Sequence, residues 1–118
     1  LTSSYLGGVS IVNSEVGICH ALSYGLSLEF DLRHGFANTV VFNKLNEFYP
    51  DHFNDFKEIV KKHNIELPKN ITKQISESKL DRMIEMTLRM ERPLSNALGE
   101  NWKEIFDYDT IKNLYLKI

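Results

Sequence analysis

The chain has 118 residues, 42% of them hydrophobic and 25% charged, which suits one globular domain with a single core. A formal net charge of −2 provides no long-range pull toward nucleic acid or an anionic membrane surface, so neither is an expected partner. The single cysteine, Cys19, excludes an intramolecular disulfide, and no apolar run reaches the roughly 20 residues that span a bilayer.

The opening Leu1-Thr2-Ser3-Ser4-Tyr5-Leu6 lacks the positive lead of a secretory signal, and a reducing cytoplasm is the default location. The first residue is not methionine and the chain starts on an apolar segment. Both suggest a piece of a longer polypeptide.

The predicted fold is all-α, with about six or seven helices. Residues 3–13 and 17–29 are dense in Gly, Ala, Ser and aliphatics, and Glu15 and Glu29 are the only charges before Asp31. Segments apolar on most faces are predicted to lie in the core. Gly7, Gly8, Gly17 and Gly25 would each cost about 1 kcal/mol in an exposed helix relative to Ala, so close packing or a helix break is expected at them.

Phe30-Asp31-Leu32-Arg33 reads as a short connection, after which His34 opens another helix. There Phe36, Val40, Val41, Leu45 and Phe48 recur on one face, and Pro50 is predicted to end it. Asp51 can cap a helix carrying Phe53, Phe56, Ile59 and Val60, with Lys57, Lys61 and Lys62 outside. Leu67-Pro68-Lys69-Asn70 breaks the pattern.

Ser78 is predicted to start an amphipathic helix with Leu80, Met83, Ile84 and Leu88 inward and Asp81 placed for a capping box. Pro93 to Gly99 reads as a turn or short helix. Asp107 or Asp109 caps a last helix with Ile111, Leu114 and Tyr115 inward.

Two histidines, His20 and His34, are separated by fourteen positions and sit where helices could aim both rings at one place. Imidazole is a good ligand for iron, zinc, nickel or copper. His20 lies in a nearly uncharged helix, so burial is expected, and a metal would satisfy a buried imidazole. A hydrogen-bonded core histidine is the plainer alternative for each. Two ligands are also fewer than the three or more a metal site normally takes. His52 and His63 lie on polar helices and are read as solvated, and Asp31 is the only acid near the pair in sequence.

The run from Ser10-Ile11-Val12-Asn13 through His20, followed by His34-Gly35-Phe36-Ala37-Asn38, resembles the C-terminal signature of the iron-containing (group III) alcohol dehydrogenases. That pattern runs Gly-x-x-His, a Gly/Ala-rich helix, then His-Gly-x-Ala-Asn. The resemblance implies a dehydroquinate synthase-like helical domain over residues 1–118. An N-terminal dinucleotide-binding domain would lie outside this chain.

It further implies an NAD(P)-linked metal-dependent oxidoreductase acting on a small-molecule alcohol. Its iron(II) or zinc would be held by one aspartate and three histidines. His20 and His34 would be the last two ligands and the others would lie upstream, so the 118 residues alone would be inactive; a homodimer is a possible assembly. Many members carry a non-ligand histidine one turn after the first of these two. Here the position is Tyr24, a residue less suited to proton relay near neutral pH, left either to orient substrate or to fill space.

A narrower resemblance rests on Asn13-Ser14-Glu15-Val16-Gly17, Leu26-Ser27-Leu28-Glu29 and the run Met90 to Gly99. These look like the branch that oxidises the C8 hydroxyl of 3-deoxy-manno-octulosonate. Such a sugar acid would want a cation nearby, and Arg33 or Arg92 could supply it. The competing reading is a non-catalytic helical interaction module whose histidines are core residues.

Overall fold

A computed structural model describes residues 1–12 and 16–118, without the side chains of residues 11 and 12. Asn13, Ser14 and Glu15, the start of the narrower resemblance and the end of the first predicted helix, lie outside the described residues. The described residues are all-helical: α1 (Thr2–Val12), α2 (Ile18–Phe30), α3 (His34–Phe42), α4 (Pro50–Lys62), α5 (Glu77–Leu88), α6 (Glu91–Leu98), α7 (Trp102–Ile105) and α8 (Tyr108–Leu116). None is long and apolar enough to cross a membrane. The helix beyond the predicted set is α7, a single turn anchored by buried Trp102.

α2 is the hub and packs against α3, α5 and α6, while α8 closes on α5. Its buried positions Ile18, Ala21, Leu22, Gly25 and Leu26 follow helical spacing and form one face. They meet Ala37, Val40 and Val41 of α3, Met83 and Ile84 of α5, Leu94 of α6 and Ile111 and Tyr115 of α8 in one core.

A polar pin joins three of these helices. The Tyr115 hydroxyl donates to the Leu22 carbonyl at 2.9 Å and lies 2.8 Å from Thr87 Oγ1. Gly25 makes room for it, because a Cβ there would fall 2.5 Å from the Tyr115 hydroxyl. Close packing is therefore the reason for Gly25, as expected. Gly17 combines both expectations: it forms the N-cap of α2, and a Cβ there would fall 3.0 Å from the Tyr49 hydroxyl.

Four expectations need correction. α1 is not a core helix: Thr2 to Ser10 are all exposed, and Cβ atoms at Gly7 or Gly8 would meet nothing within 4 Å. Apolar composition made it look buried, but burial needs a covering surface and the described residues supply little.

Secondly, α3 stops at Phe42, and turns through Tyr49 replace its predicted last part. Pro50 begins α4 instead of ending α3, since a missing N–H costs nothing at the first helical position. Tyr49, not Asp51, is the N-cap. Leu45 remains fully buried, and Phe36 is 38% exposed.

Thirdly, α4 buries no residue completely. Phe53, Phe56 and Val60 are half-covered and Ile59 is exposed. Phe42 from α3 supplies much of that partial cover, with its ring 5.0 Å from Phe56.

Finally, α5 starts at Glu77 behind Ser76, and Asp81 makes no capping box. It accepts a hydrogen bond from the Tyr108 hydroxyl, which is thereby pushed up to about 12. The terminal helix is capped by Asp107, whose carboxylate accepts from the Thr110 N–H at 2.8 Å.

Candidate metal centre

The reversal between α2 and α3 brings the two histidines together. α2 ends at Asp31, which adopts the left-handed conformation (φ 51°), one that Asp tolerates better than most residues. Leu32 tucks in half-buried, Arg33 caps α3, and His34 is its first residue. The α2–α3 hairpin then lays the start of α3 beside the first turn of α2.

His34 Nε2 lies 3.1 Å from His20 Nδ1, and the rings meet edge-to-face with centroids 4.6 Å apart. Tyr24 completes a three-ring cluster, 4.9 Å from His20 and 5.2 Å from His34. The i, i+4 spacing of His20 and Tyr24 puts both on the outer stripe of α2, opposite its buried face.

This corrects the expected burial of His20. It is half-covered, by His34 and Tyr24 among others, while His34 itself is exposed and Tyr24 is 43% exposed. Neither histidine is a core residue.

The spacing of the two nitrogens suits shared coordination. Two imidazole nitrogens each about 2.1 Å from one ion lie roughly 3.0 Å apart at a right angle and about 3.4 Å apart at a tetrahedral one. The observed 3.1 Å falls in that interval. Gly35 leaves open space beside His34, with nothing within 4 Å of where a Cβ would stand. Among the described residues no third His, Cys, Asp or Glu joins them to make a three-donor group. His52 and His63 sit exposed on and just after α4, as expected, and Asp31 serves as the exposed C-cap of α2.

Cys19 precedes His20 but turns the other way. Its thiol donates to the Asn38 carbonyl at 3.2 Å, and burial pushes it up to about 12. It packs α2 against α3 through Asn38. In the motif around His34, Ala37 is fully buried and Asn38 is half-buried against Cys19.

A family model described as "Fe-containing alcohol dehydrogenase family, C-terminal" matches residues 1–100. The chain belongs to this family. The paired histidines thus stand in the C-terminal helical part of an oxidoreductase family whose name carries iron and alcohol oxidation.

Sequence reasoning missed what lies beside Tyr24. An open groove of about 510 Å³ runs along α5, lined by Tyr24, Arg82, Glu85, Met86, Arg89 and Met90. The signal was present as a second periodicity: Arg82, Glu85, Met86 and Arg89 follow the i, i+3, i+4, i+7 spacing of one helix face. Arg33 lines a separate depression with Asp31, Leu32, Gly35 and Phe36, and Arg92 another with Ser95, Asn96 and Glu100. Neither lines the groove at Tyr24.

Proposed function

We propose that this chain is the metal-binding helical domain of an NAD(P)-linked, iron-type alcohol dehydrogenase and that His20 and His34 are two of its metal ligands. The observation that carries the reading is the 3.1 Å approach of His34 Nε2 to His20 Nδ1 within the family's paired-histidine pattern. The remaining ligands and the dinucleotide cradle would come from residues outside the described set. The chain alone would therefore be inactive, and the working enzyme cytoplasmic.

Held by His20 and His34 with further ligands, iron(II) or zinc would supply Lewis-acid polarisation of an alcohol oxygen, with NAD(P) as the hydride acceptor. The chain's own contribution is positional. The α2–α3 hairpin holds the two imidazoles at ligand spacing, and the buried Ala37 and the Cys19–Asn38 contact hold the hairpin closed. Tyr24 packs against both rings and also lines the groove along α5. Its role is to orient the ligands and the substrate's body. For the alcohol, the runs Leu26 to Glu29 and Met90 to Gly99 support a sugar acid such as 3-deoxy-manno-octulosonate, oxidised at C8.

Metal analysis of the full-length protein tests the ligand assignment. His20→Ala and His34→Ala are each expected to lose stoichiometric iron or zinc while retaining helical content. Full metal occupancy in both variants would overturn the assignment. Oxidation assays comparing 3-deoxy-manno-octulosonate with ethanol and butanol test the substrate, and preference for the simple alcohols would sink the sugar acid.

A further inference from the structure

We infer that the groove along α5 is the subsite for the non-reacting end of the substrate, and that Arg89 selects substrates carrying a carboxylate there. This rests on the His20–His34 site being the place of reaction. The groove adjoins that site through Tyr24, which packs on both imidazoles and also forms the groove wall. A molecule whose hydroxyl reaches the histidines would lay its carbon chain over Tyr24, Met86 and Met90. Tyrosine and methionine suit that task, because their apolar surfaces accept carbon chains of differing shape.

The two arginines of the groove are in different states. Arg82 is committed: Nε and Nη2 donate to the two carboxylate oxygens of Glu29 at 2.9 and 3.0 Å, and Lys79 adds a contact at 3.8 Å. Its fork is filled and its charge is offset by Glu29, which leaves Arg89 as the groove arginine open to a ligand. Arg89 approaches only Glu85, at 3.9 Å, beyond hydrogen-bonding distance, and both side chains are largely exposed. An exposed i, i+4 pair of this kind stabilises little, so a ligand can displace it.

The guanidinium of Arg89 can then take a carboxylate with two parallel hydrogen bonds, a geometry lysine cannot reproduce. The C-terminus of α5 and the N-terminus of α6 meet at Met90, so their end-fields oppose each other there and the side chain of Arg89 is the cation a carboxylate would meet. The ligand class is an alcohol whose chain carries a carboxylate several carbons from the reacting hydroxyl. Arg33 and Arg92 line separate depressions and so serve as controls.

The test reads binding separately from turnover. Full-length protein with 13C-labelled methionine methyls is titrated with gluconate, with the neutral polyol glucitol of equal length, and with inorganic phosphate. Gluconate should shift the Met86 and Met90 methyls at concentrations at least tenfold below those needed for glucitol. Arg89→Ala should weaken gluconate about tenfold or more, Arg89→Lys should restore only part, and Arg33→Ala and Arg92→Ala should change nothing.

Equal response to gluconate and glucitol, no effect of Arg89→Ala, or phosphate matching gluconate as a general anion would each overturn the inference. Turnover separates it from the enzymatic reading. With Arg89→Ala, KM should rise for an acidic substrate and stay unchanged for a neutral alcohol and for NAD(P). If alcohols are oxidised but the acid's KM does not move, the subsite is wrong and the enzyme stands. If gluconate binds through Arg89 but no alcohol is oxidised, the subsite stands and the enzyme reading is wrong.

Discussion

His34 Nε2 and His20 Nδ1 stand 3.1 Å apart although fourteen residues separate them, and that approach depends on the left-handed turn at Asp31. On the proposed reading, two imidazoles so placed supply two of a metal's ligands. The 118-residue chain is predicted to take up zinc or cobalt(II) weakly and to lose it on dialysis, because two protein donors fall short of the three or more that hold such ions. Replacing either histidine with alanine should abolish the residual uptake. Tight, stoichiometric binding by these 118 residues would mean that further donors lie within the chain.

Gly25→Ala should destabilise the fold in spite of alanine's better helix propensity. The propensity gain is about 1 kcal/mol, but forcing a methyl into a packed contact costs about 1–3 kcal/mol. The added Cβ would lie 2.5 Å from the Tyr115 hydroxyl and 3.1 Å from Met83 Cβ. Urea denaturation should show a net loss of about 1 kcal/mol. Tyr115→Phe removes the oxygen and its bond to the Leu22 carbonyl, so the double variant should be less destabilised than the sum of the two. Strict additivity would argue that the contact is not the cause.

The Glu29–Arg82 pair predicts a pH dependence with a definite sign. The Arg82 guanidinium holds the Glu29 carboxyl below the usual carboxylate range, helped by Lys79. The folded state therefore binds this proton less readily than the unfolded one. Its stabilising contribution is present above the unfolded value of about 4.3 and fades as pH falls through the lower folded value. Wild type should be more stable than Glu29→Gln near neutral pH, and the gap should narrow below pH about 4. A gap unchanged across that window in urea-midpoint measurements would rule the pair out.

Cys19 should resist modification. With its thiol near 12, about one part in ten thousand is thiolate at pH 8, and the sulfur is turned onto Asn38. Iodoacetamide at that pH should label the native protein far more slowly than the denatured one. Equal rates would show that α2 and α3 separate readily in solution.

Helical periodicity alone located α5 and α8 and most of their inward residues, because one-sided hydrophobic spacing is a local property, whereas α2 was placed by its apolar, small-residue composition. Where the pattern depended on a neighbour, it misled. The apolar composition of α1 suggested burial, whereas Tyr5, Leu6 and Val9 are exposed. Pro50 marks a boundary in any reading, but only the turn from Asn43 to Tyr49 shows that it opens a helix. The Trp102 turn escaped notice because four residues are too few to show a period.

The same division runs through the site. His20, His34 and Tyr24 were identifiable from their motif and from the i, i+4 relation along one helix. Their meeting was not determined until Asp31 reversed the chain and α3 packed on α2, and that same packing left His20 half-covered on the outer stripe instead of buried. Composition and periodicity are encoded residue by residue. Which arginines share a groove with Tyr24 depends on how α5 lies against α2, so the placing of Arg82 and Arg89 beside it belongs to the tertiary structure alone.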